Sequence, residues 1–232
     1  AEIYTKARTA LRSGELLEAI DLFEEAIEQN PDDADAQDGL ATACFLAKDF
    51  PGAIRHFTRV TQLKPRDARA YVNLGALYNI NEEYTKAADS LRKGIQRDGK
   101  NAEAYYNLGI AQKQLRQNAM AVSAYREALR LNPALFDAHV NLANLYFKQG
   151  QHKKSIDEYT AALGVKPDST KARKGIEHVQ RVINENKASE NPFGRLVDTS
   201  KLVERGAKSD AVIDLNEEQR FEDRQFVQMA AS

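Results

Sequence analysis

A 34-residue period runs through most of this chain and limits what it can fold into. Prolines stand at Pro31, Pro65, Pro133 and Pro167, with Gly99 in the remaining place of the series. A column of small residues keeps the same step: Ala7, Ala41, Gly75, Gly109 and Ala143. So does a second, Ala19, Ala53, Ala87, Ala121 and Ser155, followed by a bulky one, Phe23, Phe57, Leu91, Tyr125 and Tyr159. Ala26, Val60, Gly94, Ala128 and Ala162 complete the pattern. Self-similarity at such a period marks an array of like units, each one supersecondary element.

Within a unit the spacing is helical. Tyr105, Leu108, Gly109 and Gln112 fall on one face of a 3.6-residue period, as do Ala121, Tyr125, Ala128 and Leu129 further along. A short polar stretch, Arg116 to Ala119, separates the two runs, and Pro133 stops the second. Each unit therefore reads as two antiparallel helices. The small columns let backbones approach, and the bulky column fills the space beside them. One such pair cannot bury its own apolar faces, so the units must stack. Composition agrees: 29% charged residues, no tryptophan and few prolines suit exposed helices better than sheets.

Length, columns and proline together resemble the tetratricopeptide repeat, in five copies over about the first 170 residues: 1–33, 34–67, 68–101, 102–135 and 136–169. The resemblance implies an all-α, right-handed α-solenoid of helix pairs. Lys6 departs from the pattern, standing where Leu40, Leu74, Leu108 and Leu142 stand later, and predicts an exposed first helix, or one deprived of an upstream repeat. Beyond Pro167, the stripe Ala172, Ile176, Val179 and Ile183 among lysines and arginines predicts a capping helix over 168–187, with Ser169 as its N-cap. From Ala188 the register is lost. Residues 188–232 read as a partly helical or extended tail, with short helices expected near Thr199–Arg205 and from Asn216 to about Ala230.

Packing does not explain Asn73, Asn107 and Asn141, which recur at the same 34-residue step. The resemblance places the first helix of each copy on a concave surface, so the expected inner face carries these three residues. It also carries Arg69 and Asn79 in the third copy, Tyr106, Ile110 and Lys113 in the fourth, and Asn144 and Phe147 in the fifth. An asparagine amide offers donors and an acceptor that match a peptide bond. Neighbouring helices pack about 8–10 Å apart, and an extended chain rises about 3.3 Å per residue, so one amide per copy would meet a bound backbone at about every third residue. The ladder resembles that of O-linked N-acetylglucosamine transferase repeats. Thr5 and Gly39 hold the register in the first two copies, which confines it to the last three. The competing reading is an ordinary solvated asparagine. Three hydrogen bonds supply only about 1.5–4.5 kcal/mol, so Tyr106, Ile110, Ile80 and Phe147 are expected as anchors.

The basic clamp with which some tetratricopeptide domains hold acidic C-terminal tails is not matched. Asp38, Thr42, Asn73, Glu103 and Asn107 occupy its places over copies two to four, and carboxylates there repel such a ligand.

Chemistry of other kinds finds no footing. His56, His139, His152 and His178 lie in different helices without ligand spacing, and the single cysteine, Cys44, replaces the core tyrosines Tyr78 and Tyr146. Acidic pairs such as Glu82–Glu83 read as solvated helix faces. The expected function is a non-enzymatic adaptor with no cofactor, binding a peptide segment of a protein partner. The tail, in cis or from a second copy, is a further expected occupant of the groove. Alternatives are the substrate-recognition arm of a larger enzyme and a self-assembling structural module. A net charge of -1 gives no support to a nucleic-acid partner, and no run of apolar residues is long enough for a membrane span. One cysteine and no apolar leader fit a cytoplasmic setting. Charge is uneven: residues 1–33 carry a net -6 and residues 34–135 a net +5.

Overall fold

The computed structural model describes residues 2–190, and for 188–190 the backbone only. The tail helices and the groove-bound tail expected from the sequence fall on residues outside this range. Among the described residues there are eleven α-helices and no strand. Five pairs follow one another: α1 (Glu2–Ser13) with α2 (Leu16–Gln29), α3 (Ala34–Leu46) with α4 (Phe50–Leu63), α5 (Ala68–Ile80) with α6 (Tyr84–Arg97), α7 (Ala102–Gln114) with α8 (Asn118–Leu131), and α9 (Phe136–Lys148) with α10 (His152–Val165). A single helix, α11 (Thr170–Glu190), ends the series and runs past the expected boundary at 187. The chain divides into two compact units, one ending at Pro133 and holding α1–α8, the other beginning at Ala134 and holding α9–α11.

Local chemistry sets the helix limits. Asp33, Asp67 and Asn101, again 34 residues apart, each accept hydrogen bonds from backbone N–H groups of the helix they open. Ser169 does the same for α11, accepting from the Ala172 N–H at 3.2 Å. Leu135 holds this place before α9 and supplies no side-chain cap. The turn between the helices of a pair also repeats. Gly14, Lys48, Glu82, Arg116 and Gly150, one per pair, all have positive φ between 60° and 81°. The residue after each donates to the carbonyl five positions back, as in Asp49 N–H to Cys44 O at 2.8 Å, which caps the first helix and reverses the chain. Glu82 is therefore a turn residue and Glu83 the N-cap position of α6, ion-paired to Lys86, so this acidic pair does not lie on a helix face.

The columns pack as their sizes dictate. Ala19, Ala53, Ala87 and Ala121 are fully buried, and Phe23, Phe57, Leu91 and Tyr125 fill the spaces beside them. A Cβ on Gly109 would come within 2.6 Å of the Tyr125 ring, so the missing side chain is what brings α7 close to α8. In the first unit α1 packs against α3 and α5 against α7, while α3 and α5, and all second helices of neighbouring pairs, lie further apart. First helices that crowd together while second helices splay put the first helices on the inner side of the curve. Lys6 is exposed on α1 and paired with Glu2 at 2.9 Å.

In the second unit, α11 packs on α10 through Ala172 and Val179, with Ile176 and Ile183 half-buried. Glu177 and Gln180 stand one period after Ala143 and Tyr146, residues that meet the partner helix α10 in the preceding pair. Both are exposed, so α11 offers a solvated surface where a further second helix would dock.

Candidate binding face on the first helices

Seven of the ten expected site residues lie on two helices of the first unit, α5 and α7. Asn73, in the middle of α5, is half-buried, and its side chain makes no hydrogen bond. Asn107, one period later on α7, donates from Nδ2 to the Glu103 carbonyl of its own helix at 3.0 Å. Its backbone carbonyl accepts in turn from Asn79 Nδ2 at 2.9 Å, a bond that ties α5 to α7 across the inner side. Asn79 Oδ1 is closed to solvent and unpartnered. Arg69 is exposed and lies 3.4 Å from Asp67. Lys113 is half-buried. Two of the three residues expected as anchors here are mostly covered: Tyr106 is 4% exposed, its ring 5.9 Å from that of Tyr125, and Ile110 is 6% exposed. Ile80, on the last turn of α5, keeps more surface.

Two carboxyls on this side carry a marked electrostatic signature. Burial pushes the Asp38 carboxyl above its ordinary pKa, opposed by the nearby Arg69 guanidinium and reinforced by Asp67. Glu103 reaches the surface, yet the protein around it withholds enough water to raise its carboxyl too, and no cation offsets the effect. Glu103 stands one helical turn before Asn107, and that shared register was the sequence signal for it.

The remaining three candidates belong to the second unit and are built differently. Asn141 is 3% exposed and already engaged. Asn144 Oδ1 accepts a 2.6 Å hydrogen bond from the Tyr159 hydroxyl, whose pKa burial raises to about 12. Phe147 is flanked by the His152 ring at 5.6 Å and, edge-on, the His178 ring at 4.9 Å. The histidines and cysteine have structural surroundings: His139 Nδ1 lies 2.7 Å from Glu158, His56 Nδ1 lies 2.8 Å from Gln37 Oε1, and Cys44 is buried. Among the described residues no group of three potential ligands could hold a metal ion, and no helix is long and apolar enough to cross a membrane.

The tetratricopeptide repeat profile matches residues 4–65, 47–102 and 136–169, and a TPR repeat profile matches 117–150. The chain belongs to the tetratricopeptide repeat family. Solved structures place it in the same fold. MamA residues 41 to the end from Desulfovibrio magneticus RS-1 is 22% identical with a TM-score of 0.68, over 73% of this chain and 96% of that one. YrrB, described as a TPR protein with an unusual peptide-binding site, is 18% identical with a TM-score of 0.67, over 75% and 90%. PilF of Pseudomonas aeruginosa is 19% identical with a TM-score of 0.69, over 80% and 85%. No match was found among curated protein sequences.

Proposed function

We propose that this tetratricopeptide repeat protein is a non-enzymatic interaction scaffold that holds an extended peptide segment of a protein partner along the inner side of its first helices. The observation that carries the reading is Asn73. A half-buried amide on α5 with no hydrogen bond of its own keeps both donors and its acceptor for a ligand's peptide groups. Asn107 adds a second rung: its Nδ2 has one hydrogen on the helix backbone, while its Oδ1 has no partner. The peptide-binding site named for YrrB, a protein of similar fold, supports peptide binding by a repeat array of this kind. Two rungs give about 1–3 kcal/mol, so contacts from Ile80 and from ligand side chains must supply the rest of the affinity.

The test is to select peptides from a random decapeptide library on the full chain and measure their affinities for the wild type and Asn73→Ala. Asn73 supports no other part of the fold, so its urea midpoint should not move. Affinity is expected to fall about fivefold, the value of one hydrogen bond. Selected peptides that bind both proteins equally would refute the proposal.

A further inference from the structure

Around Asn107, two amide oxygens and a carboxylate are left without a partner. Asn79 and Asn107 each spend an amide hydrogen on backbone carbonyls, Asn107 O and Glu103 O respectively. Their Oδ1 atoms receive nothing, and that of Asn79 is also cut off from water. Beside them stands the Glu103 carboxylate, which accepts in all its lone-pair directions and forms no ion pair. Two cations of the chain could have answered it and do not. Arg69, in the same register one pair earlier, turns to Asp67, and Lys113 lies more than two turns along α7 from Glu103. Glu103 stands one helical turn before Asn107 on α7, so one ligand group could meet both its carboxylate and Asn107 Oδ1.

Resting on the groove reading above, we propose that the bound segment is recognised by a cationic side chain, Arg or Lys, seated on the Glu103 carboxylate with Asn107 Oδ1 beside it. A ligand carboxylate or phosphate would meet a like charge at this point, with the second hydrogen of Asn107 Nδ2 its one compensation on α7. A neutral side chain would leave the Glu103 carboxylate poorly solvated, a condition its raised pKa already records. A guanidinium supplies several donors in a planar fork and suits a site made of acceptors.

The experiment uses the same decapeptide selection on the full chain. Peptides that lose affinity on Asn73→Ala are expected to share an Arg or Lys at one position. Replacing that Arg by citrulline, which keeps the shape and removes the charge, should weaken binding to wild type on the order of tenfold or more. On Glu103→Gln the two peptides should bind within about twofold of each other. The citrulline arm needs no protein variant, so it stands whatever Glu103→Gln does to the fold. Asn73-sensitive peptides without a cation, or with equal Arg and citrulline affinities, overturn the cation and leave the groove standing. If no selected peptide depends on Asn73, both proposals fall together.

Discussion

Gly39 occupies the asparagine register of the second copy, and the structure predicts the effect of filling it. A Cβ there would overlap Cε1 and Cζ of the Phe23 ring and lie 3.0 Å from its Cδ1. Phe23 is fully buried, and the Tyr4 ring packs against it edge-on at 6.0 Å, so the ring has little room to retreat. Two effects compete in Gly39→Ala. Removing a glycine from a helix interior is worth about 1 kcal/mol. Forcing a methyl group into a packed core costs about 1–3 kcal/mol. The expected net result is a loss of up to about 2 kcal/mol, larger for Gly39→Asn, the substitution that would extend the asparagine series.

Gly164 is the control, because it also sits inside a helix but a Cβ there meets nothing within 4 Å. Gly164→Ala should gain about 0.5–1 kcal/mol. Urea unfolding followed by circular dichroism separates the two: with a slope of about 2 kcal/mol per molar, their midpoints should lie roughly 0.25–1.5 M apart. In Phe23→Leu, which opens the pocket, Gly39→Ala should become neutral or stabilising. A Gly39→Ala protein that gains stability as Gly164→Ala does would refute the steric argument.

The turn residues Lys48, Glu82 and Arg116 hold positive φ that Gly14 and Gly150 adopt without strain. Replacing each by glycine should raise the urea midpoint, each change worth about 0.5–1 kcal/mol, whereas Gly14→Ala should lower it. Burial, with Asp49 nearby, pushes the Cys44 thiol up to about 11, against an ordinary value near 8.5. Alkylation of the native protein at pH 8 should therefore run at least about a hundredfold slower than in urea, and equal rates would contradict the burial. The Asp38 carboxyl has a folded pKa above its unfolded value near 4. In that window the native state binds more protons, so this contribution to stability is present at lower pH and fades as pH rises through the folded pKa. Asp38→Asn should thus gain on wild type in urea midpoints between pH 4 and 7, and a gap that narrows with rising pH would reverse the sign.

Backbone architecture was open to reading because it depends on residue size at a fixed step. Small against bulky columns, a proline or glycine closing each unit and the stripe of α11 dictate which faces meet, and size is written in each residue name. The turn geometry was only partly open: Gly14 and Gly150 stand a multiple of 34 residues apart, with Lys48, Glu82 and Arg116 between them. Those three side chains hide a backbone requirement that glycine would have announced. Glu82–Glu83 was misread for that reason, as helix surface in place of turn and cap position.

The candidate site followed a different rule. Asn73, Asn107 and Asn141 share one residue type and one register, yet the first is free, the second bonds its own helix, and the third is buried and engaged. Register fixes where a side chain starts, whereas hydrogen bonding depends on neighbours that differ between copies: Asn79 in one pair, and Phe45, Lys113 and Phe147 in the same column of others. The difference has a functional consequence. A uniform series of free amides would grip any extended backbone without preference, because every residue offers the same peptide group. Once Asn107 has committed an amide hydrogen to its own helix beside Glu103, the inner side is uneven along its length. On the proposed reading, a rung with its whole amide free is followed by one with a hydrogen committed to its own helix and a carboxylate beside it, and that unevenness would let the array favour one direction of a bound chain and one of its side chains.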